Sequence, residues 1–338
     1  IDPGNPEADP RALWDLYNMI YLRDGEEPEK MRGATQIGTT TLGASRVTGL
    51  FDYQEGTRLI GTAGDGKIYE RTAGDFSAAT GGTGFDTGND TRWSGGMYYG
   101  AVTTENILQL SNGIDAPQKY RSSAGISALG GSPPSTGRYG VSFMGRWWLF
   151  TGDTAFYSDI NDCEDWTGGG SIQIDRGSGD ITGATVFMGN LIIFKRKKCF
   201  RMAPTTTLTE VSVRELSHTI GTASHYSIAE ARGGMLLFES DNGLSGIYAT
   251  NAEGGFYVDN VSDKIKAVLD RRSRGNQATS WATYNEDRDE YWFQYGTASS
   301  TPSEGIIANA AKGKRALRYS RHDRTNLISG TTYRSSGA

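Results

Sequence analysis

The chain has 338 residues, a formal net charge of −5 and 46 glycines, a glycine share roughly twice the ordinary value of about 7%. Its acidic balance argues against a protein that wraps nucleic acid with a basic face, and no apolar run approaches the roughly 20 residues that span a bilayer. Two cysteines, Cys163 and Cys199, are too few for a disulfide framework, so we expect two free thiols.

The first 33 residues are interpreted as an N-terminal arm, partly extended and partly helical. The stretch "DPRALWDLYNMIYL", residues 9–22, predicts a short helix because Asp9 suits the N-cap and Pro10 suits the first turn. Four apolar residues would share one face of that helix: Leu13, Leu16, Tyr17 and Ile20.

Six apolar runs then recur along the chain, each followed by a polar turn and a second strand. The runs end at Ile60, Leu110, Phe150, Phe194, Phe238 and Phe293. Their spacings of 50, 40, 44, 44 and 55 residues are close to the roughly 40 to 50 residues of a four-stranded propeller blade. Runs such as "LIIF" and "MLLF" do not alternate with polar residues, as expected of strands that pack on both faces.

A further apolar strand precedes each run, at residues 46–53, 95–102, 138–144, 181–188, 225–231 and 279–285. We therefore predict an all-β fold, a β-propeller of six four-stranded blades over residues 34–338. The approximate blade segments are 34–90, 91–137, 138–179, 180–222, 223–276 and 277–338. The ring is expected to close by pairing residues 33–42 beside residues 315–322. A β-sandwich or a pair of barrels is the alternative, because any glycine-rich all-β chain contains strand–turn–strand patterns.

The sequence offers no pattern typical of a catalytic or cofactor site. His218, His225 and His322 stand in separate contexts without metal-ligand spacing. Cys-x-x-Cys, phosphate-loop and G-x-S-x-G patterns are absent. We therefore expect no cofactor, no metal and no enzymatic activity.

An acidic segment, "SDINDCEDW" at residues 158–166, gathers oxygen-bearing side chains before a tryptophan. A calcium-binding EF-hand loop needs alternating ligands, a central glycine and a glutamate at the twelfth position, and only fragments of that pattern are present. The segment also departs from the Ser-x-Asp-x-Gly-x-Thr-Trp corners of sialidase propellers. We interpret it as a turn of Asp and Asn side chains packed over Trp166.

Four consecutive cations stand at a predicted strand turn: Lys195, Arg196, Lys197 and Lys198. Such a run is usually a solvated hairpin tip that discourages edge pairing, and it is also where phosphate or an acidic partner surface would touch. We take these four residues as the candidate partner contact.

Several segments together resemble a known protein group. They are "YLRDGEEPEKMRG" (21–33), "VTGLFDY", "GTRLIGTAGDGKIYE", "FYSDINDCEDW" and "DITGATVFMGNLIIFKRKKCFRM". This set is similar to tailed-bacteriophage virion tail proteins with a β-propeller domain, of the nozzle, packaged-DNA-stabilisation or tail tubular type. The resemblance covers about residues 18–260. Met31, Arg32 and Gly33 replace a proline-bearing turn of that group.

The resemblance implies a non-enzymatic structural protein of the virion, assembled in the host cytoplasm. Such a protein would be a tail nozzle or hub component, a hexamer whose ring retains and conducts DNA without sequence-specific binding. Its partners would be other tail proteins such as adaptor, fibre or portal-proximal rings, and no membrane would be involved.

Two other functions stay open at this point. A propeller that binds a receptor or glycan would use exposed aromatic platforms, for which the candidates are Trp93, Trp147, Trp148 and Trp281. A propeller glycoside hydrolase would need carboxylates and arginines to converge at one end of the channel.

Overall fold

Short apolar runs separated by glycine-rich turns fold into antiparallel meanders in this chain. The computed structural model describes residues 19–21, 28–30, 42, 46–53, 58–88, 90–99, 105–205, 211–232, 234–249, 255–297, 303–310 and 317–322. Within these ranges the protein is all-β, and six antiparallel four-stranded sheets are the six blades of a β-propeller.

The blades take their strands consecutively from the chain. Blade 1 contains β3 (Val47–Tyr53), β4 (Arg58–Ala63), β5 (Lys67–Arg71) and β6 (Ser77–Thr83). Blade 2 contains β7 (Ser94–Tyr98), β8 (Ile107–Ser111), β9 (Gln118–Arg121) and β10 (Gly125–Ala128). Blade 3 contains β11 (Tyr139–Phe143), β12 (Arg146–Thr151), β13 (Thr154–Tyr157) and β14 (Gly170–Gln173).

The second half of the ring is built in the same way. Blade 4 contains β15 (Ile181–Phe187), β16 (Asn190–Lys195), β17 (Cys199–Met202) and β18 (Val213–Ser217). Blade 5 contains β19 (Ala229–Ala231), β20 (Met235–Ser240), β21 (Gly243–Ala249) and β22 (Phe256–Asn260). Blade 6 contains β23 (Trp281–Asn285), β24 (Glu290–Tyr295), β25 (Glu304–Asn309) and β26 (Arg318–His322). The division of the chain into an arm and a propeller stays a prediction.

Among the described residues, helical structure is found only in the short connections before blades 5 and 6. The 3₁₀ helix His225–Ser227 occupies the start of the segment predicted as the first strand of blade 5, so that strand is shorter than expected. The connection between blades 5 and 6 contains the 3₁₀ helix Asp263–Ile265, the α-helix α1 (Lys266–Leu269) and the 3₁₀ helix Arg274–Thr279.

The first strand of each blade lies nearest the propeller axis. Neighbouring first strands contact one another, β3 with β7, β7 with β11, β11 with β15 and β19 with β23. All six first strands run in the same sense, so the connections that enter them lie on one side of the disc. We call this side the upper face; it also carries the turn after each second strand, because these strands pair antiparallel.

The second strands carry the six apolar runs and are buried along their length, as the lack of alternation predicts. Strands β8, β16 and β20 contain only buried residues. Five apolar clusters each join two neighbouring blades, in order from blades 1 and 2 to blades 5 and 6. Burial between blades is therefore the main stabilising contribution to the ring.

Two inner turns place a methionine where glycine or asparagine is usual. Met144 (φ 55°) and Gly145 link β11 to β12, and Met188 (φ 47°) and Gly189 link β15 to β16. Two-residue turns with positive φ at both positions match the twist of antiparallel strands. The methionines bear a steric cost there that asparagine would reduce.

The N-terminal arm differs from the sequence prediction. Within the predicted helix 9–22, β1 (Met19–Tyr21) is a strand that pairs antiparallel with β2 (Pro28–Lys30), so the helix prediction is wrong at this end. The intervening sequence contains Asp-Gly, a strong turn signal that outweighs the weak helical periodicity. Strand β1 lies against β26 of blade 6. The rest of the predicted helix, and the closing strand predicted at 33–42 apart from Leu42, lie outside the described residues.

Both cysteines are free thiols, as predicted, and both are buried. Burial raises the pKa of Cys163 to about 12 and that of Cys199 to about 12. Among the helices that the structure describes, none is long and apolar enough to cross a membrane.

Candidate functional site

The predicted basic contact lies at the turn between β16 and β17, on the upper face, and its first residue points inward. The Lys195 side chain is fully buried, and its Nζ donates to the backbone oxygen of Asp175 at 2.9 Å. Burial lowers the pKa of Lys195 although Asp175 opposes this effect. Lys195 is therefore unavailable to a partner, and its assignment as a contact residue is wrong.

The other three cations of this turn differ in how much charge they leave available. Arg196 donates to Gln277 Oε1 at 2.9 Å and pairs with Asp241 Oδ1 at 3.2 Å. Lys198 Nζ lies 2.6 Å from Asp175 Oδ2 and 3.5 Å from Glu215 Oε2. Lys197 is exposed. The run therefore connects blade 4 to its neighbours, and only Lys197 is wholly directed to solvent.

The tryptophans proposed as glycan platforms are buried. Trp93, Trp147 and Trp148 expose 3%, 1% and 0% of their surface, and Trp281 exposes 5%. Trp147 and Trp148 point to opposite faces of blade 3: Trp147 packs between blades 2 and 3, and Trp148 packs between blades 3 and 4. A glycan platform at these positions is excluded because neighbouring blades cover both faces of the sheet.

The acidic segment 158–166 is used to build the corner of blade 3. Ser158 Oγ accepts from the Trp147 amide at 3.0 Å, and Trp166 Nε1 donates to the Cys163 oxygen at 3.1 Å. The Glu164 carboxylate forms ion pairs with Lys119 and Arg121 of blade 2. Over the described ranges no group of three or more His, Cys, Asp or Glu side chains is arranged to hold a metal ion.

The propeller axis, in contrast, is occupied by polar and aromatic side chains from distant parts of the chain. The Arg92 guanidinium, just before β7, donates to the backbone oxygens of Thr279 and Ser280 at 2.7 and 3.0 Å. It also stacks 4.1 Å from the ring centroid of Tyr226, whose hydroxyl donates to the Arg92 oxygen at 2.8 Å. Burial lowers the pKa of Arg92 to about 10, so the group is still cationic at neutral pH. These contacts link the start of blade 2 to the starts of blades 5 and 6 across the axis.

A second pair of rings completes this axial cluster. Tyr139, the first residue of β11, lies 4.5 Å from the ring of His225 and 6.5 Å from that of Tyr226. Burial, together with the nearby Arg138 and Arg92 guanidinium groups, lowers the pKa of His225 to about 3. The imidazole is therefore neutral at neutral pH.

A cavity of about 430 Å³ opens beside the axial cluster on the upper face. Its lining combines two arginines with short polar side chains and backbone, from Gly88, Asp90, Thr91, Arg92, Asn112, Gly113, Ile114 and Arg138. Arg138 is exposed, and its guanidinium lies 5.3 Å from the centroid of the Tyr139 ring. We call this space the axial cavity.

A buried ion pair lies between blades 5 and 6. Arg272 donates to Glu239 Oε1 at 2.6 Å, and the two side chains expose 6% and 0% of their surface. Burial raises the pKa of Glu239 to about 7 although the Arg272 charge opposes that shift. Glu239 lies beside Ser280, whose backbone oxygen accepts from Arg92.

A second concave surface lies on blade 3. A groove of about 510 Å³ is lined by prolines, hydroxyl groups and three half-buried aromatic rings. The rings are those of Phe156, Tyr157 and Trp166. Trp166 is the only one of these three residues for which the sequence analysis predicts a packing role.

The sequence contained a signal for the axial cluster that motif searches do not use. A basic residue precedes or opens the inner segment in four of the six blades, at Arg46, Arg92, Arg138 and His225. An aromatic residue follows it in three of them. Because equivalent positions of a propeller meet at the axis, this repeat position predicts a basic and aromatic cluster there.

Comparisons with known proteins agree with the fold. No protein-family model matches the sequence, and no curated protein matches it. The structure is similar to the WD40 repeats of RRP9, with a TM-score of 0.53, 8% identity and coverage of 86% of this chain and 84% of that one. It is also similar to a functionally unknown protein from Desulfotomaculum acetoxidans, with a TM-score of 0.53, 11% identity and coverage of 86% and 89%. A chain of the mitotic checkpoint complex gives a TM-score of 0.51 at 10% identity, over 90% of this chain and 91% of that one. At these identities the likeness shows a β-propeller and nothing about activity.

Proposed function

We propose that this chain is a non-enzymatic structural protein of a bacteriophage virion, a tail nozzle or hub component. Several copies, six in the simplest arrangement, form a ring that retains packaged DNA and later conducts it. Its partners are other tail proteins, and it works by packing and alignment rather than by bond chemistry.

The observation that carries this proposal is the placement of the resembling segments in the fold. "GTRLIGTAGDGKIYE" forms β4 and β5, "FYSDINDCEDW" forms the corner after β13, and "DITGATVFMGNLIIFKRKKCFRM" forms the first three strands of blade 4. These are packed framework positions, so the resemblance concerns how the blades are built.

The filled axis decides where DNA would pass in such an assembly. Arg92, Tyr226 and the backbone of Thr279 and Ser280 meet at hydrogen-bond and stacking distances, which leaves no passage for a duplex through the disc. The proposed conduit is therefore the lumen between copies. A net charge of −5 per chain would keep phosphates from adhering to the lumen wall.

The test is to image the assembled protein. The full chain is purified, its mass is measured by light scattering, and particles are imaged by electron microscopy alone and with tail components. We expect rings with a lumen bounded by several closed discs. A persistent monomer that is not incorporated into tails would overturn the proposal.

Receptor or glycan binding is the second candidate, and the blade 3 groove favours it. Aromatic faces bordered by hydroxyl groups suit the apolar face and the polar edge of a sugar ring. Retention of host polysaccharide by the wild-type chain, lost in Trp166→Ala and kept in Tyr257→Ala, would support this function. Tyr257 is the control because it is an exposed aromatic outside the groove, with 43% of its surface accessible. Absence of retention would exclude it.

A further inference from the structure

We infer that the axial cavity is a binding site for a carboxylate presented by an extended segment of a partner protein. This inference does not depend on the virion role, because it follows from the charges and shape of the cavity alone.

Two arginines line this cavity although like charges repel. Arg92 stacks on Tyr226 at 4.1 Å and Arg138 on Tyr139 at 5.3 Å, and those two rings are 6.5 Å apart. Both arginines act electrostatically on His225, which is neutral and cannot offset them. This arrangement places two positive charges at one end of an acidic protein.

The carboxylate that lines the cavity is already shared with another arginine. Asp90 lines the cavity, but its Oδ1 is paired at 3.6 Å with Arg46. Across the ranges that the structure covers, no carboxylate lies within ion-pair distance of the Arg138 guanidinium. Arg138 therefore keeps its donors available to an incoming anion.

The wall that contacts the Arg138 side chain is held in place before any ligand arrives. Asn112 Oδ1 accepts from the amides of Ile114 and Asp115 at 2.9 and 2.8 Å, and Asn112 Nδ2 donates to Asp115 Oδ2 at 2.7 Å. Gly113 has a φ of 81°, and a Cβ there would lie 3.0 Å from Cγ of Arg138. A side chain at position 113 would push Arg138 aside, so this glycine preserves the donor geometry. A fixed wall lowers the ordering cost of binding.

The surroundings favour a single carboxylate over a nucleic acid. Asp86 and Asp115 stand next to the cavity and are joined through the Asp86 amide, which donates to Asp115 Oδ2 at 3.0 Å. These carboxylates repel a polyanion, which needs a continuous basic track, but they leave room for one compact anion. Ile114 is 59% exposed at the rim and offers an apolar contact to the residue beside the anion. The cavity volume of about 430 Å³ is that of a small-ligand site.

The test measures peptide binding to the full chain by isothermal titration. The probes are an acetylated and amidated pentapeptide with one central glutamate between leucines, its glutamine counterpart, and the glutamine peptide with a free terminal carboxylate. We expect the glutamate peptide to bind at least about 10-fold more tightly than the glutamine peptide, and less tightly as salt is raised. Tighter binding of the free-acid peptide would identify a chain terminus as the source of the carboxylate.

Variants assign that binding to the cavity. Arg138→Gln should weaken the glutamate peptide about 10-fold, whereas Arg176→Gln, an exposed arginine in the connection between blades 3 and 4, should leave it unchanged. Ile114→Asp, which adds a carboxylate at the exposed rim, should weaken it independently of Arg138. Thermal melts identical to wild type establish that each variant is folded.

Three results would overturn the inference. They are equal binding of the glutamate and glutamine peptides up to millimolar concentration, equal losses in Arg138→Gln and Arg176→Gln, and displacement of the peptide by a short DNA duplex or by inorganic phosphate at lower concentration than by acetate. The last result would assign the cavity to phosphate.

Discussion

Two basic regions on the upper face show opposite uses of positive charge. At the turn between β16 and β17, three of four consecutive cations are engaged by the side chains of Asp175, Glu215 and Asp241 or by the backbone oxygen of Asp175. At the axis, Arg92 and Arg138 come from residues 46 positions apart and converge beside a cavity in which Arg138 has no ion pair among the described residues. A run of cations in a sequence is therefore a poor guide to available charge. Convergence from separate blades is a better one.

The largest expected effect is a loss of stability when the axial contacts of Arg92 are removed. Arg92→Met removes two hydrogen bonds to the backbone oxygens of Thr279 and Ser280, and a buried acceptor left without a donor costs about 1–3 kcal/mol. We expect the free energy of unfolding to fall by about 3 kcal/mol in urea denaturation. Arg138→Gln is the control and should change it by less than about 0.5 kcal/mol. Equal stability of Arg92→Met and wild type would show that the axial contacts of Arg92 do not stabilise the fold.

The next largest effect is the change of stability with pH that the buried ion pair beside the axis causes. The pKa of Glu239 is raised to about 7, so the folded state keeps a proton that the unfolded state loses above its ordinary pKa of about 4.5. Stability should therefore fall as pH rises from about 4.5 to 7. Glu239→Gln should remove about 2 kcal/mol of that fall, measured as the difference between variant and wild type in urea series at pH 5, 6, 7 and 8. An equal change of stability with pH in both proteins would show that the pKa of Glu239 is not raised.

His225 is expected to have the opposite effect at acid pH, where stability should rise with pH. Its pKa is lowered to about 3, so between about pH 6.5 and 3 the unfolded state binds a proton that the folded state does not. Stability should decline as pH falls through this window. His225→Gln should flatten the decline by about 1–2 kcal/mol in denaturation series at pH 4, 5, 6 and 7. An unchanged acid limb would mean that the ring titrates normally.

A smaller loss of stability is expected when Lys195, the buried residue of the basic turn, is replaced. Lys195→Met keeps the aliphatic stem and removes one hydrogen bond to the Asp175 oxygen, at a cost of about 1 kcal/mol. The loss should be clearly smaller than that of Arg92→Met in the same denaturation series. A loss equal to that of Arg92→Met would make the turn as important to the fold as the axis.

Lys197→Ala should have the smallest effect on the fold, because this side chain is exposed. We expect an unchanged melting temperature and unchanged assembly by light scattering. If assembly fails while the melting temperature is kept, Lys197 is a partner contact, and the basic run contributes to assembly at this one position.

The ring was predictable from sequence because each blade repeats the same burial. The apolar runs ending at Ile60, Phe150 and Phe194 identify second strands, since a strand covered on both faces needs no polar alternation. The arm was not predictable in this way. A short amphipathic pattern at residues 9–22 does not distinguish a helix from the hairpin that includes Met19–Tyr21.

The candidate site was largely invisible to sequence reasoning. Trp147 and Trp148 alternate as a half-exposed pair would, and only the neighbouring blades show that both are covered. Arg92 and Arg138 belong to no motif, and only their equivalent positions in neighbouring blades indicate that they meet. A sequence motif identifies functional residues that are close together in the chain. The side chains at a propeller axis come from different blades and are far apart in the chain.

The two buried thiols make the protein convenient for site-specific labelling. A thiolate is the species that reacts with maleimides, and the pKa values of Cys163 and Cys199, raised to about 12, leave almost none of it at neutral pH. A single cysteine introduced on the surface, for example at Lys197, would be the only fast-reacting thiol of the folded chain. A fluorophore pair placed on adjacent copies could then follow assembly in real time without altering the native cysteines.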